Sequence, residues 1–125
     1  MTSDHRYVQH IFDCITTIEA FTENGYAEFA QSVMAQNAVM YQFMIMGEAT
    51  KRISQETHDS YSSIPWRPMA RFRDVLIHGY SNINIEEVWR TVENDLPSLK
   101  RSIHNLLIEL ADDDKTDQLP DAPNT

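Results

Sequence analysis

Cysteine occurs once in these 125 residues, at Cys14. No disulfide can close within the chain, and a reducing compartment is its natural home. Glycine is almost as scarce, at three residues, and the five prolines gather in one loop (Pro65, Pro68), one isolated position (Pro97) and the C-terminal stretch (Pro120, Pro123). A glycine-rich phosphate loop is absent, which argues against a nucleotide-hydrolysing enzyme. No apolar run approaches the ~18 residues of a membrane span, and no N-terminal segment has the basic start and apolar stretch of a signal peptide. The expectation is a soluble, cytoplasmic protein with no membrane association. Metal-ligand spacing is missing too. There is no HExxH or CxxC, His5 and His10 lie five apart, and His58 and His104 stand alone. No metal site and no cofactor are expected. Basic residues are few, 10 against 19 acids for a net charge of −9, so the chain is not a general nucleic-acid binder.

The charge is unevenly spread. Residues 109–125 carry six acids and one lysine, a balance of −5 that leaves −4 for residues 1–108. Within that body Lys51, Arg52, Arg67, Arg71 and Arg73 form a local basic cluster, so one anionic ligand at that place is allowed. The length suits one domain. Scarce glycine with abundant Met, Ala, Glu and Gln favours an all-α fold. The expected domain covers residues 1–111. Residues 112–125 are acidic, contain two prolines and one large apolar residue, and are expected to form a disordered acidic tail.

Residues 4–22 place Val8, Ile11, Phe12, Ile15, Ile18 and Phe21 at the spacing of one helical face, ending at Asn24-Gly25. Tyr26–Gln31 suits a short helical turn. The next helix is predicted from Ser32 to His58. Its first half, Val33 to Met46, is apolar nearly all round, with Gln36, Asn37 and Gln42 the only polar residues. Such a helix is buried on more than one side. Either it is the central helix of a bundle, or one side faces a second copy of the chain, and a homodimer is the expectation. Gly47 sits mid-helix at a cost of ~1 kcal/mol relative to alanine and suits a close helix crossing. A loop with Trp66 as a core plug leads to a third helix that starts near Arg67–Pro68 and ends near His78–Gly79. Helix resumes at Ile85, with Val88, Trp89 and Val92 inward. The last helix carries Leu99, Ile103, Leu106, Leu107 and Leu110 and is predicted to end at Ala111.

The segment Arg71-Phe72-Arg73-Asp74-Val75-Leu76-Ile77-His78-Gly79-Tyr80 concentrates chemistry. Asp74 and His78 are four apart and share a helical face, where a carboxylate can bond an imidazole. Arg71 lies near the same face. Arg73 is five before His78, about 140° round an ideal helix. The pair therefore meets only if the side chain reaches across, the helix unwinds near Gly79, or the two come from different subunits. The plainer reading is a helix-capping histidine with solvated arginines.

Arg73, four residues, His78, one residue and Tyr80 match the R-x4-H-x-Y motif of the HEPN superfamily, and more narrowly the chain resembles the HepT family of toxin proteins. The resemblance spans roughly residues 5–110. It includes Gly47-Glu48-Ala49-Thr50-Lys51-Arg52, Ile64-Pro65-Trp66, Ile77-His78-Gly79-Tyr80, Val88-Trp89 and Asn94-Asp95-Leu96-Pro97. It implies a HEPN-type bundle of about four to five helices that dimerises and joins two R-x4-H segments in one cleft. It implies metal-independent RNA cleavage by Arg73 and His78, with Asp74 and Arg71 in support. It also implies a type VII-like toxin–antitoxin pairing, in which a small nucleotidyltransferase antitoxin transfers AMP to Tyr80. Two positions depart from the pattern. Asp74 stands where Asn is frequent, and Arg71 stands where a small residue is frequent. The acid adds negative charge beside a phosphate site, and Arg71 offsets it.

A rival reading is a non-catalytic HEPN subunit that binds a nucleotide or a nucleotidyltransferase. Lys51 and Arg52 either extend the positive surface toward RNA or form a solvated helix end. Cys14 reads as a packed thiol. The acidic tail reads as a solvated end, or as a cover for the basic cluster.

Overall fold

The computed structural model describes residues 3–118, and for Tyr80 and residues 113–118 the backbone only. Among the described residues there are seven α-helices: α1 (Ser3–Thr22), α2 (Tyr26–Gln31), α3 (Val33–Arg52), α4 (Gln55–Ser60), α5 (Trp66–His78), α6 (Ile85–Asn94) and α7 (Leu96–Gln118). A 3-10 turn, Tyr80–Asn82, follows α5. The expected all-α bundle is the observed architecture. Its five longer helices carry the packing, and α2 and α4 are six-residue connectors.

α3 is the central element and packs most extensively on α1 and on α5, while α7 closes the other side of α1. α1 buries Val8, Ile11, Ile15 and Ile18, the stripe expected from its periodicity. Phe21, expected on that face, is largely exposed, because the stripe drifts off the core as α1 nears its end. α3 buries Val39, Phe43, Met46 and Thr50 at steps of four, three and four. Thr50 tolerates burial because its hydroxyl donates to the Met46 carbonyl at 2.9 Å. Trp66 is buried as expected, with its indole N–H donating to the Tyr61 carbonyl at 3.1 Å. Trp89 is half-buried and packs against Tyr26 and Phe29.

Two boundaries differ from expectation, and a third agrees for a different reason. The helix predicted to run from Ser32 to His58 breaks after Arg52. Ile53 turns to extended backbone and is buried, and Ser54 caps a new helix by accepting from the Thr57 amide at 3.2 Å. Asp4 fixes that break from the far end of the chain. Its carboxylate accepts from the Ser54 amide at 2.9 Å and from the Ser54 and Thr57 hydroxyls at 2.6 Å each. Burial alone would raise the Asp4 pKa, but these hydrogen bonds outweigh it and leave the carboxyl below its usual range. Gly79 does end α5, yet at φ −128 it makes no use of left-handed freedom. It matters sterically instead, since a Cβ there would lie 3.1 Å from the Val75 carbonyl oxygen. Finally, α7 continues past Ala111 to Gln118, so the first part of the expected tail is helical. Residues 119–125 of that tail lie outside the described residues. No helix among the described residues is long and apolar enough to cross a membrane.

Candidate active site

α5 is placed by one close approach to α3. A Cβ added at Gly47 would lie 2.3 Å from Arg73 Cβ and 3.0 Å from the Met69 carbonyl oxygen. Only a residue without a side chain lets the helices meet this closely. Gly47 thus performs the role its mid-helix position suggested, and it does so against Arg73 itself. Phe72, next in line, packs edge-on against buried Phe43 with ring centroids 5.0 Å apart.

The crossing sets the surroundings of Arg73. Its Nε lies 3.1 Å from Glu48 on α3, and its terminal nitrogen donates to Asp74 Oδ1 at 3.0 Å. Asp74 Oδ1 also accepts from Lys51 Nζ at 2.9 Å, and Glu48 reaches Arg52 Nε at 3.5 Å. The result is a continuous line, Arg52–Glu48–Arg73–Asp74–Lys51. It holds three cations and two carboxylates, so one positive charge is left over. The Lys51 ammonium foremost, and then Arg73, holds the Asp74 carboxyl below the usual carboxylate range. Arg73 keeps 23% of its side chain exposed. It is oriented by two carboxylates yet still open to a phosphate.

His78 closes α5 on the exposed side, and Arg71 and Arg67 are exposed about two and three turns back. Among the described residues no hydrogen bond or ion pair joins His78 to Asp74 or to Arg73, and Asp74 turns to Lys51 and Arg73 instead. The helical geometry explains this. Arg73 faces α3, while His78 lies round the helix from it, so the two side chains do not meet within one chain. Tyr80 opens the 3-10 turn two residues beyond His78, and its side chain lies outside what is described. Among the described residues no three His, Cys, Asp or Glu side chains gather closely enough to hold a metal ion.

Beside this site lies an apolar surface. Val33, Met34 and Tyr41 of α3 and Val75 and Ile77 of α5 are exposed. A cleft lined by Asn37, Met40, Tyr41, Met44, Leu76 and Ile77 runs between the two helices. Exposed apolar side chains beside such a cleft are a surface that a partner could cover.

Sequence reasoning named Glu48 only within the Gly47–Arg52 segment and gave it no role of its own. Its neighbour Gly47 and its four-residue spacing to Arg52 were the available signals. It also had no means of pairing Glu48 with Arg73, because that contact joins two helices.

The chain is an all-helical bundle with Arg73 held at a helix crossing and His78 at the exposed end of the same helix. The chain belongs to the HepT-like family. The family model described as ribonuclease HepT-like matches residues 11–106. The chain is 39% identical over 108 residues to a Thermococcus cleftensis protein named "Probable ribonuclease HepT", covering 85% of this chain and 98% of that protein. It is 31% identical over 110 residues to a Methanocaldococcus jannaschii protein named "Putative RNase", covering 87% and 91%. A Caldanaerobacter subterraneus protein, also named "Putative RNase", is 29% identical over 108 residues, covering 86% and 96%. No solved structure matches the chain.

Proposed function

We propose that this chain is a metal-independent endoribonuclease that works as a homodimer. The observation that carries this reading is the half-site on α5. Arg73 is oriented by Glu48 and Asp74, and His78 is exposed beside an apolar face suited to a second copy. Two-fold pairing through the α3–α5 face brings two such half-sites together. One His78 removes the proton from a ribose 2′-OH, whose oxygen attacks the adjacent phosphorus. The other His78 protonates the departing 5′-oxygen, leaving a cyclic phosphate and a 5′-hydroxyl end. Histidine suits both roles because it takes and gives protons near neutral pH. Arg73 stabilises the charge that builds on the phosphate. Arg71 adds positive charge nearby, and Asp74 is a positioning residue for Arg73.

The family resemblance extends the proposal to regulation. The chain is the toxin of a toxin–antitoxin pair whose antitoxin is a nucleotidyltransferase. That enzyme joins the Tyr80 oxygen to the α-phosphorus of ATP and releases pyrophosphate. The resulting AMP group brings bulk and negative charge two residues from His78 and repels RNA.

A second reading has one observation in its favour: the Arg73 guanidinium is already engaged by Glu48 and Asp74. On that reading the chain is a non-catalytic subunit of a nucleotidyltransferase complex. The two are separated by incubating the purified protein with RNA in the presence of EDTA. Cleavage that persists in EDTA and is lost in His78→Ala supports the ribonuclease. Uncut RNA supports the binding subunit, and equal cutting by His78→Ala refutes the role given to His78. Mass spectrometry after co-expression with the nucleotidyltransferase tests for AMP on the Tyr80 peptide.

A further inference from the structure

The geometry points to a nucleotide-binding pocket at the α3–α4–α5 corner that takes the RNA strand leading away from the Arg73–His78 site. This rests on the ribonuclease reading for its substrate, but not for its architecture.

The pocket encloses about 490 Å³ and is lined by Lys51, Gln55, His58, Asp59, Trp66 and Arg67, among others. Three features suit a nucleotide rather than a bare anion. The first is a rigid aromatic platform. The His58 ring stacks on Trp66 at 4.9 Å with planes 21° apart. Its Nε2 lies 3.0 Å from the Thr50 carbonyl, so that nitrogen carries a hydrogen and the ring is fixed in plane. Aromatic faces of this kind stack nucleobases with little regard to sequence. The second is a cation, Arg67, beside the stem of Lys51, whose ammonium is paired with Asp74. Arg67 is exposed and makes no ion pair among the described residues. The third is an acceptor. Asp59, held by Gln55 Nε2 at 2.8 Å, has no use in a phosphate site but accepts from a base amino group or a ribose hydroxyl.

The pocket is joined to the candidate active site by one helical stripe. Arg67, Arg71, Asp74 and His78 follow at steps of four, three and four, so they share the exposed face of α5. The stripe is about 16 Å long. Its one acid, Asp74, is paired with Lys51 and Arg73, so Arg67 and Arg71 leave the track net positive. A single strand with its scissile phosphate at His78 would follow the arginines and seat a base on His58 a few nucleotides away.

The test is the affinity of the full-length protein, carrying His78→Ala to prevent cutting, for a single-stranded eight-nucleotide RNA. Arg67→Glu should weaken binding about tenfold and lower the salt dependence of the binding constant by roughly one phosphate contact. Arg101→Glu on α7, a helix that packs on α1 and α6, provides a charge-matched control and should leave affinity unchanged. With Trp89→Phe, Trp66 is the only tryptophan left of the two. The RNA should quench its fluorescence, whereas inorganic phosphate should not. The proposal is overturned if Arg67→Glu binds as the control does, if phosphate quenches as RNA does, or if the RNA does not bind. RNA that binds by these criteria but is never cut by the native chain would refute the ribonuclease reading and leave the strand path standing.

Discussion

Replacing Gly47 with alanine adds one methyl group at the close crossing of α3 and α5. That carbon would sit 2.3 Å from Arg73 Cβ. Carbon atoms settle at about 3.5–4.0 Å. The helices must therefore separate by roughly 1.2 Å or more, because Arg73 Cβ is anchored to backbone and cannot swing aside like a side-chain tip. Two effects oppose each other. Alanine favours the helical backbone by about 1 kcal/mol over glycine. Overpacking a close contact costs about 1–3 kcal/mol. The balance is a loss of roughly 0–2 kcal/mol, so the protein should fold, with a melting temperature lower by a few degrees. Activity should suffer more. A shift of about 1 Å in a group that stabilises the reacting phosphate costs on the order of 10²-fold. The assay is the rate of RNA cleavage beside thermal unfolding by circular dichroism. A Gly47→Ala protein that cuts at the native rate and melts higher would refute the claim that this glycine positions Arg73.

Other outcomes follow from the same geometry. His78→Ala should keep the native melting temperature within about 2 °C, since the side chain is exposed, while RNA cleavage falls by at least about 10²-fold. Asp4→Ala should destabilise by about 1–2 kcal/mol at pH 7 in urea titrations, because it removes the cap on the α3–α4 break. The Asp4 pKa is lowered in the folded state, so its contribution is fully present above the ordinary value of 3.8. It disappears as pH falls through the lowered value, and the gap between native and variant should narrow there. A gap that stays constant at pH 3 would contradict this assignment. Tyr41→Glu combined with Met34→Lys should yield monomers in analytical ultracentrifugation and abolish cleavage without unfolding the chain, because both positions are exposed on the proposed dimer face. Burial raises the Cys14 thiol to about 11. It should resist iodoacetamide at pH 8 in the folded protein and react once the chain is unfolded.

The helices with a single buried stripe were legible from spacing alone. α1 needed only Val8, Ile11, Ile15 and Ile18 at helical intervals, and α7 needed Leu99, Ile103, Leu106 and Leu107. Gly47 could be singled out because a glycine inside an otherwise strong helix former asks for a packing reason. The break at Ile53–Ser54 was not legible. Local propensity favours continuation, and the group that makes Ser54 a helix start is Asp4, fifty positions away in sequence.

For the candidate site, sequence by itself proposed the residue types and the segment that carries them, since Arg73, His78 and Tyr80 stand at fixed intervals along it. It also identified their difficulty, an arginine and a histidine pointing to different sides. Tertiary structure decided what surrounds Arg73. The contacts to Glu48, and of Lys51 to Asp74, exist only because α3 crosses α5 at a glycine, and the energy of such contacts depends on distances that no spacing along one helix encodes. The stacking of His58 on Trp66 is of the same kind. Chain-local regularities follow from backbone periodicity. The electrostatics of the site follow from which helices touch, and at what depth.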